Sequence, residues 1–68
     1  MTVEINGQIY YRTNEVCRTA RVSKSTLLRW IRNGTIKDTS RRDWRGWRLF
    51  SQDELERVKE LANTIQYH

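Results

Sequence analysis

Residues 13–34 read Thr13-Asn14-Glu15-Val16-Cys17-Arg18-Thr19-Ala20-Arg21-Val22-Ser23-Lys24-Ser25-Thr26-Leu27-Leu28-Arg29-Trp30-Ile31-Arg32-Asn33-Gly34. The stretch predicts two short helices joined by a tight turn, a helix-turn-helix. Thr13 is the expected first N-cap, because its hydroxyl can accept from free backbone N–H groups. Glu15 suits the positive end of that helix, which should run from about Asn14 to Ala20 and bury Val16 and Ala20. Arg21-Val22 is the expected turn. Ser23 is the second N-cap, and the second helix should span about Lys24 to Asn33. Gly34 is its stop, since glycine enters the left-handed region without a Cβ penalty.

The face pattern of the second helix is informative. At about 100° per residue, Leu27, Leu28, Trp30 and Ile31 share one arc, while Ser25, Thr26, Arg29, Arg32 and Asn33 lie opposite. The outward face is therefore polar and partly basic.

On the N-terminal side, Val3 to Tyr11 alternates around Asn6-Gly7. Asn-Gly between β-prone runs predicts a short hairpin. An isolated two-stranded ribbon is weak, so fraying is the alternative. On the C-terminal side, Thr35-Ile36-Lys37 is an expected strand, Asp38 to Gly46 a polar loop, and Trp47 to Phe50 the return strand. Together these would form a second hairpin beside the second helix, a wing over about 35–50. Ser51-Gln52-Asp53-Glu54 is a capping-box pattern. Leu55, Val58, Leu61, Ala62 and Ile65 then share one face of a last helix over about 52–65, with an exposed side that is mostly acidic. That helix should brace the fold. The expected architecture is mostly α with a small β component: a winged helix-turn-helix of three helices, a short N-terminal hairpin and a two-stranded wing.

The chain has 68 residues, the length of one domain. The apolar residues expected to form its core are Val16, Ala20, Val22, Leu27, Trp30, Ile31, Ile36, Leu49, Phe50, Leu55, Val58, Leu61 and Ile65. A core of that size leaves little room for a catalytic pocket with rigid walls. Cys17 is the one cysteine, so an intramolecular disulfide and a multi-cysteine metal site are excluded. It is expected as a small buried residue. His68 has no carboxylate or cysteine partner placed by sequence. With no paired carboxylates, phosphate loop or metal-ligand spacing, neither an enzyme nor a cofactor is expected. No apolar run approaches the ~20 residues needed to cross a bilayer, and the N-terminus carries no signal-peptide pattern. A cytoplasmic, nucleoid-associated protein is the expectation.

Net charge is +5, but its placement says more. Between Arg12 and Arg48 eleven basic residues face only Glu15, Asp38 and Asp43, while the segments on either side are net acidic. A middle this basic points to a polyanion. The alternative reading of the charge is an ordinary solvated surface, or a basic module for an acidic protein partner.

Tyr11-Arg12-Thr13-Asn14-Glu15-Val16, then Val22-Ser23-Lys24-Ser25-Thr26-Leu27, then Gly46-Trp47-Arg48-Leu49-Phe50-Ser51 with Asp53-Glu54-Leu55 resembles the DNA-binding domain of MerR-type regulators. Arg29-Trp30-Ile31-Arg32-Asn33-Gly34-Thr35-Ile36 is similar to the small excisionase-like branch of that superfamily. The resemblance spans about Tyr11 to Ile65. It implies a winged helix-turn-helix on double-stranded DNA, with the second helix in the major groove and the wing on flanking backbone. By position it puts Lys24, Ser25, Thr26, Arg29 and Arg32 on the recognition helix. Arg41, Arg42, Trp44, Arg45 and Arg48 belong to the wing, and Arg12 and Arg21 are the expected phosphate contacts. The family's long dimerisation helix and effector-binding region have no counterpart here, so no small-molecule effector domain is expected.

Arg29 and Ser25 are the expected base-edge readers, because an arginine can bond both guanine acceptors at once. A phosphate-only role for Arg29 is the alternative. Arginines on the wing suit a phosphate rail or a narrow minor groove. Trp44 is expected to fold back on the hydrophobic base of the wing; packing on sugar edges or a guanidinium is its alternative. Trp47 and Trp30 are expected in the core. The function expected is sequence-specific duplex DNA binding by a small transcriptional regulator, with an excisionase-like architectural factor in site-specific recombination as the alternative. One module of this kind buries only about 600–1,000 Å² on DNA, so cooperative or partner-assisted binding is expected.

Overall fold

The computed structural model describes residues 2–65, the side chain of residue 65 excepted. In chain order the elements are β1 (Thr2–Ile5), β2 (Gln8–Arg12), α1 (Thr13–Ala20), α2 (Lys24–Arg32), β3 (Arg41–Arg42), β4 (Arg48–Phe50) and α3 (Gln52–Ile65). Three helices and a small antiparallel sheet among the described residues make the winged helix-turn-helix expected from the sequence. The expectations for the side chain of Ile65 and for His68 lie outside the described residues.

The first hairpin forms where Asn-Gly demanded it. Asn6 has φ 52° and Gly7 φ 82°, the positive pair that a type I′ turn requires. The register runs from Thr2 opposite Tyr11 to Ile5 opposite Gln8. This hairpin is not a separate ribbon. β2 also pairs with β4, Tyr11 opposite Phe50 and Arg12 opposite Leu49. The sheet order is β1-β2-β4-β3, so the N-terminal hairpin and the wing are halves of one sheet.

That continuity displaces the first cap. Thr13 is the first helical residue rather than the N-cap; Arg12 holds the cap position with extended backbone and no side-chain cap bond. The reason is the strand: Arg12 is still in the ladder with Leu49, so the chain passes from strand to helix without a spare residue. At the other end of α1, Arg21 adopts left-handed backbone at φ 61°. The Val22 N–H donates to the Cys17 carbonyl, 3.0 Å, closing the turn.

α2 is capped as its sequence predicts. The Thr26 N–H donates to Ser23 Oγ at 3.1 Å, and Ser23 in turn donates to Thr26 Oγ1 at 2.8 Å. α3 carries the full capping box: the Glu54 N–H donates to Ser51 Oγ, 3.2 Å, and the Ser51 N–H donates to Glu54 Oε1, 2.7 Å. Two orphan donors are thereby satisfied reciprocally.

The strand expected at Thr35-Ile36-Lys37 does not form; the outer wing strand is Arg41–Arg42, pairing Arg41 with Leu49 and Arg42 with Arg48. Ile36 is instead buried in the core. Its N–H donates to the Trp30 carbonyl, 3.2 Å, so the chain curls against the end of α2 instead of extending. Thr39, buried, then donates its hydroxyl to the Leu49 carbonyl, fixing the loop to the strand beside it.

The core gathers Val16, Cys17, Ala20, Leu27, Ile36, Phe50, Leu55, Val58 and Ala62 between the helices and the inner sheet face. Tyr11, Val22, Trp30, Ile31 and Leu61 are half-buried around it. Trp30 is therefore a flank of the core, not its centre. Two tryptophan expectations fail: Trp44 is 90% exposed and Trp47 56% exposed. Both rings belong to the turn of the wing and neither packs against the core cluster.

Candidate nucleic-acid interface

The turn of the wing is built around one carboxylate. The Gly46 N–H donates to the Asp43 carbonyl, 2.9 Å, and the Asp43 N–H to the Trp47 carbonyl, 2.9 Å. Asp43 Oδ1 accepts from the Arg45 and Trp47 N–H groups, each 2.9 Å. Gly46 sits at φ 86°, a conformation strained for a residue with a Cβ. The signal was Asp43-x-x-Gly46, the favoured first and fourth residues of a type I turn.

Asp43 also gathers two guanidiniums. Its Oδ2 lies 2.7 Å from Arg12 Nη1 and 3.2 Å from Arg45 Nη2. The Asp43 side chain is 7% exposed, so the pairs are shielded more than ordinary surface ion pairs, which contribute little. The Arg12 guanidinium, with the desolvation of the site opposing it and the Trp47 and Arg45 N–H groups assisting, holds the Asp43 carboxyl far below the usual carboxylate range. Asp38 serves the same way one strand over. Arg48 Nε lies 2.8 Å from Asp38 Oδ1, Arg48 Nη2 3.2 Å from Oδ2, and Arg42 Nη2 3.5 Å from Oδ2. The bond from Arg48 is the main reason that the Asp38 carboxyl is also lowered.

Arg45 lies against both exposed indoles, its guanidinium carbon 3.8 Å from the Trp47 ring centroid and 5.3 Å from that of Trp44. Such contacts favour a cation electrostatically. Arg41 makes a similar contact with Tyr10 at 5.2 Å.

Between the wing and α2 runs a groove of about 310 Å³, lined by Arg12, Thr13, Asn14, Lys24, Leu28, Arg42, Gly46, Trp47 and Arg48. Four of its residues are cationic, and no acid among the described residues lines it. Ser25, Arg29 and Arg32 are exposed; Arg32 continues the helix row of Lys24 and Leu28, and Ser25 and Arg29 form the row beside it. Thr26 is half-buried and tied to Ser23. Thus the structure brings Arg12, Lys24, Arg42 and Arg48 together, with Arg45 and Trp44 at the tip of the turn. Arg21 stands apart. It lines a second groove with Thr19, Ala20, Glu56, Lys59, Glu60 and Asn63, where both signs of charge mix. Thr13, Asn14, Leu28, Gly46 and Trp47 were missed as groove residues, and so were the two aspartates behind it. Leu28 reads as core on a helical wheel, and only the position of the wing makes it a groove floor.

Cys17 is buried, and that burial pushes its thiol up, the opposite of an activated nucleophile. No helix among the described residues is long and apolar enough to cross a membrane.

A family model described as a helix-turn-helix domain matches residues 10–60. The chain belongs to the helix-turn-helix domain family. The match takes in the end of β2, both short helices, the wing and the first part of α3, and leaves β1 outside. It agrees with the excisionase-like resemblance and makes this a DNA-binding helix-turn-helix domain. Neither a curated protein nor a solved structure matches the chain. In the helix-turn-helix domain, α1 and α2 are the two helices of the motif, and the groove lies where α2 meets the wing.

Proposed function

We propose that this helix-turn-helix domain binds double-stranded DNA sequence-specifically and acts as a MerR-like transcriptional regulator. The observation that carries this reading is a groove whose charged side chains are all basic, flanked by the exposed Ser25, Arg29 and Arg32. An anion tracking past Arg12, Lys24, Arg42 and Arg48 leaves α2 facing base edges. Arg29 and Ser25 then read the major groove, and Lys24, Arg32 and Arg12 hold phosphates. Arg41, Arg45 and Trp44 meet the flanking minor groove or backbone. The reading describes a binding protein, with affinity from charge and discrimination from a few side chains.

A second reading, an excisionase-like factor in recombination, is supported by the resemblance of Arg29-Trp30-Ile31-Arg32-Asn33-Gly34-Thr35-Ile36 to the excisionase-like branch. One experiment tests both. Duplexes selected from a random pool, then titrated at several salt concentrations, should yield a defined site and a log–log slope near −4 to −5 for about five phosphate contacts. Inverted repeats favour the regulator as a dimer; direct repeats favour an array on recombination sites. Binding to duplex no better than to a neutral polymer at low salt overturns the DNA reading.

A further inference from the structure

Three groove cations are held from outside the groove. Arg42 and Arg48 converge on Asp38, and Arg12 reaches Asp43, yet neither aspartate lines the groove itself. Arg48 meets Asp38 side-on through Nε and Nη2. A guanidinium has five N–H donors in a fixed plane, so this grip leaves the Nη1 donors and one Nη2 donor for another acceptor. Arg42 is gripped twice on its own, Nη1 on the Gly46 carbonyl at 2.9 Å and Nη2 on Asp38. Long arginine side chains otherwise lose much rotamer freedom when they bind.

We propose that Asp38 is a positioning residue for phosphate binding, aiming Arg48 and Arg42 into the groove from behind its wall. The proposal rests on the DNA reading above. It makes a prediction opposite in sign to simple charge counting. An acid near a DNA-binding surface should repel phosphate, and its neutralisation should tighten binding. A carboxylate that preorganises two phosphate ligands does the reverse.

The test compares wild type with Asp38→Asn, Asp38→Glu and, as a distant acid, Glu60→Gln, by fluorescence anisotropy on one selected duplex over a range of salt. Asp38 is 41% exposed at its side chain, so its variants should fold, which thermal melting verifies. Asp38→Asn is expected to bind about three- to tenfold more weakly despite the loss of a negative charge, with a salt slope shallower by about one. Asp38→Glu should recover part of the loss, and Glu60→Gln should not weaken binding. In an Arg42→Ala/Arg48→Ala background the Asp38→Asn effect should vanish. In the free protein, the Arg48 Nε–H resonance should be protected from exchange and lose that protection in Asp38→Asn. Unchanged or tighter binding by Asp38→Asn overturns the proposal. So does a loss of the same size in the background without Arg42 and Arg48. A wild-type protein that binds no duplex would instead sink the DNA reading, and this role with it.

Discussion

The guanidinium of Arg12 at the end of β2 lies 2.7 Å from the carboxylate of Asp43, 31 residues further along the chain. The pair ties the entrance of the helix-turn-helix to the turn of the wing. The same carboxylate accepts two backbone N–H groups of that turn, so one side chain sets both the shape of the wing and its position.

Asp43→Asn should therefore lower the thermal midpoint, and the loss should depend on pH. The folded Asp43 carboxyl titrates below its unfolded value, chiefly because Arg12 bonds to the ionised form. A group depressed in this way adds stability above its unfolded pKa, and that stability is lost as pH falls towards the folded value. The gap between wild type and Asp43→Asn should be widest above about pH 5 and narrow below about pH 4. Melting curves from pH 2 to 7 check it; a gap that widens towards acid would contradict it.

Leu27 is the one residue of α2 that is fully buried. Leu27→Ala should cost about 2–5 kcal/mol through lost burial and the cavity left behind. Small domains are stable by only about 5–15 kcal/mol, so a large share of the fold's stability goes with it. Urea unfolding reads the change directly.

Ser51→Ala removes half of the capping box of α3. The expected cost is about 1 kcal/mol, seen as a lower urea midpoint. Because Ser51 does not line the basic groove, DNA affinity of the folded variant should be unaltered.

Arg29 stands exposed on α2. Arg29→Ala should weaken a selected duplex by about 1–3 kcal/mol and a random duplex by less. Competition binding with both duplexes decides the matter, since equal losses would make Arg29 a phosphate clamp.

Trp44 is 90% exposed, so Trp44→Ala should change stability by no more than about 0.5 kcal/mol. Interface tryptophans commonly contribute above about 1 kcal/mol, and duplex affinity should fall about tenfold. An equal affinity for variant and wild type would leave Trp44 outside the interface.

Local chemistry made most of the fold legible. Ser23 and Ser51 were readable as caps because each donor they satisfy lies within three residues. Asn6-Gly7 was readable because few residues tolerate two positive φ values in succession. The core face of α3 followed from its helical period, and the basic middle of the chain from counting. The thirteen basic and eight acidic residues said nothing, however, about which would meet.

What the chain alone decided is the identity of its local elements, the caps, turns and amphipathic faces, because those interactions close within a few residues. Tertiary structure decided the rest: that β2 pairs with β4, that Ile36 seals α2 instead of joining a strand, that Trp44 stays in water, and that Asp38 stands behind Arg48. Each of those depends on segments distant in sequence meeting in one register. A periodic pattern records which face of an element is apolar, but not which partner will cover it.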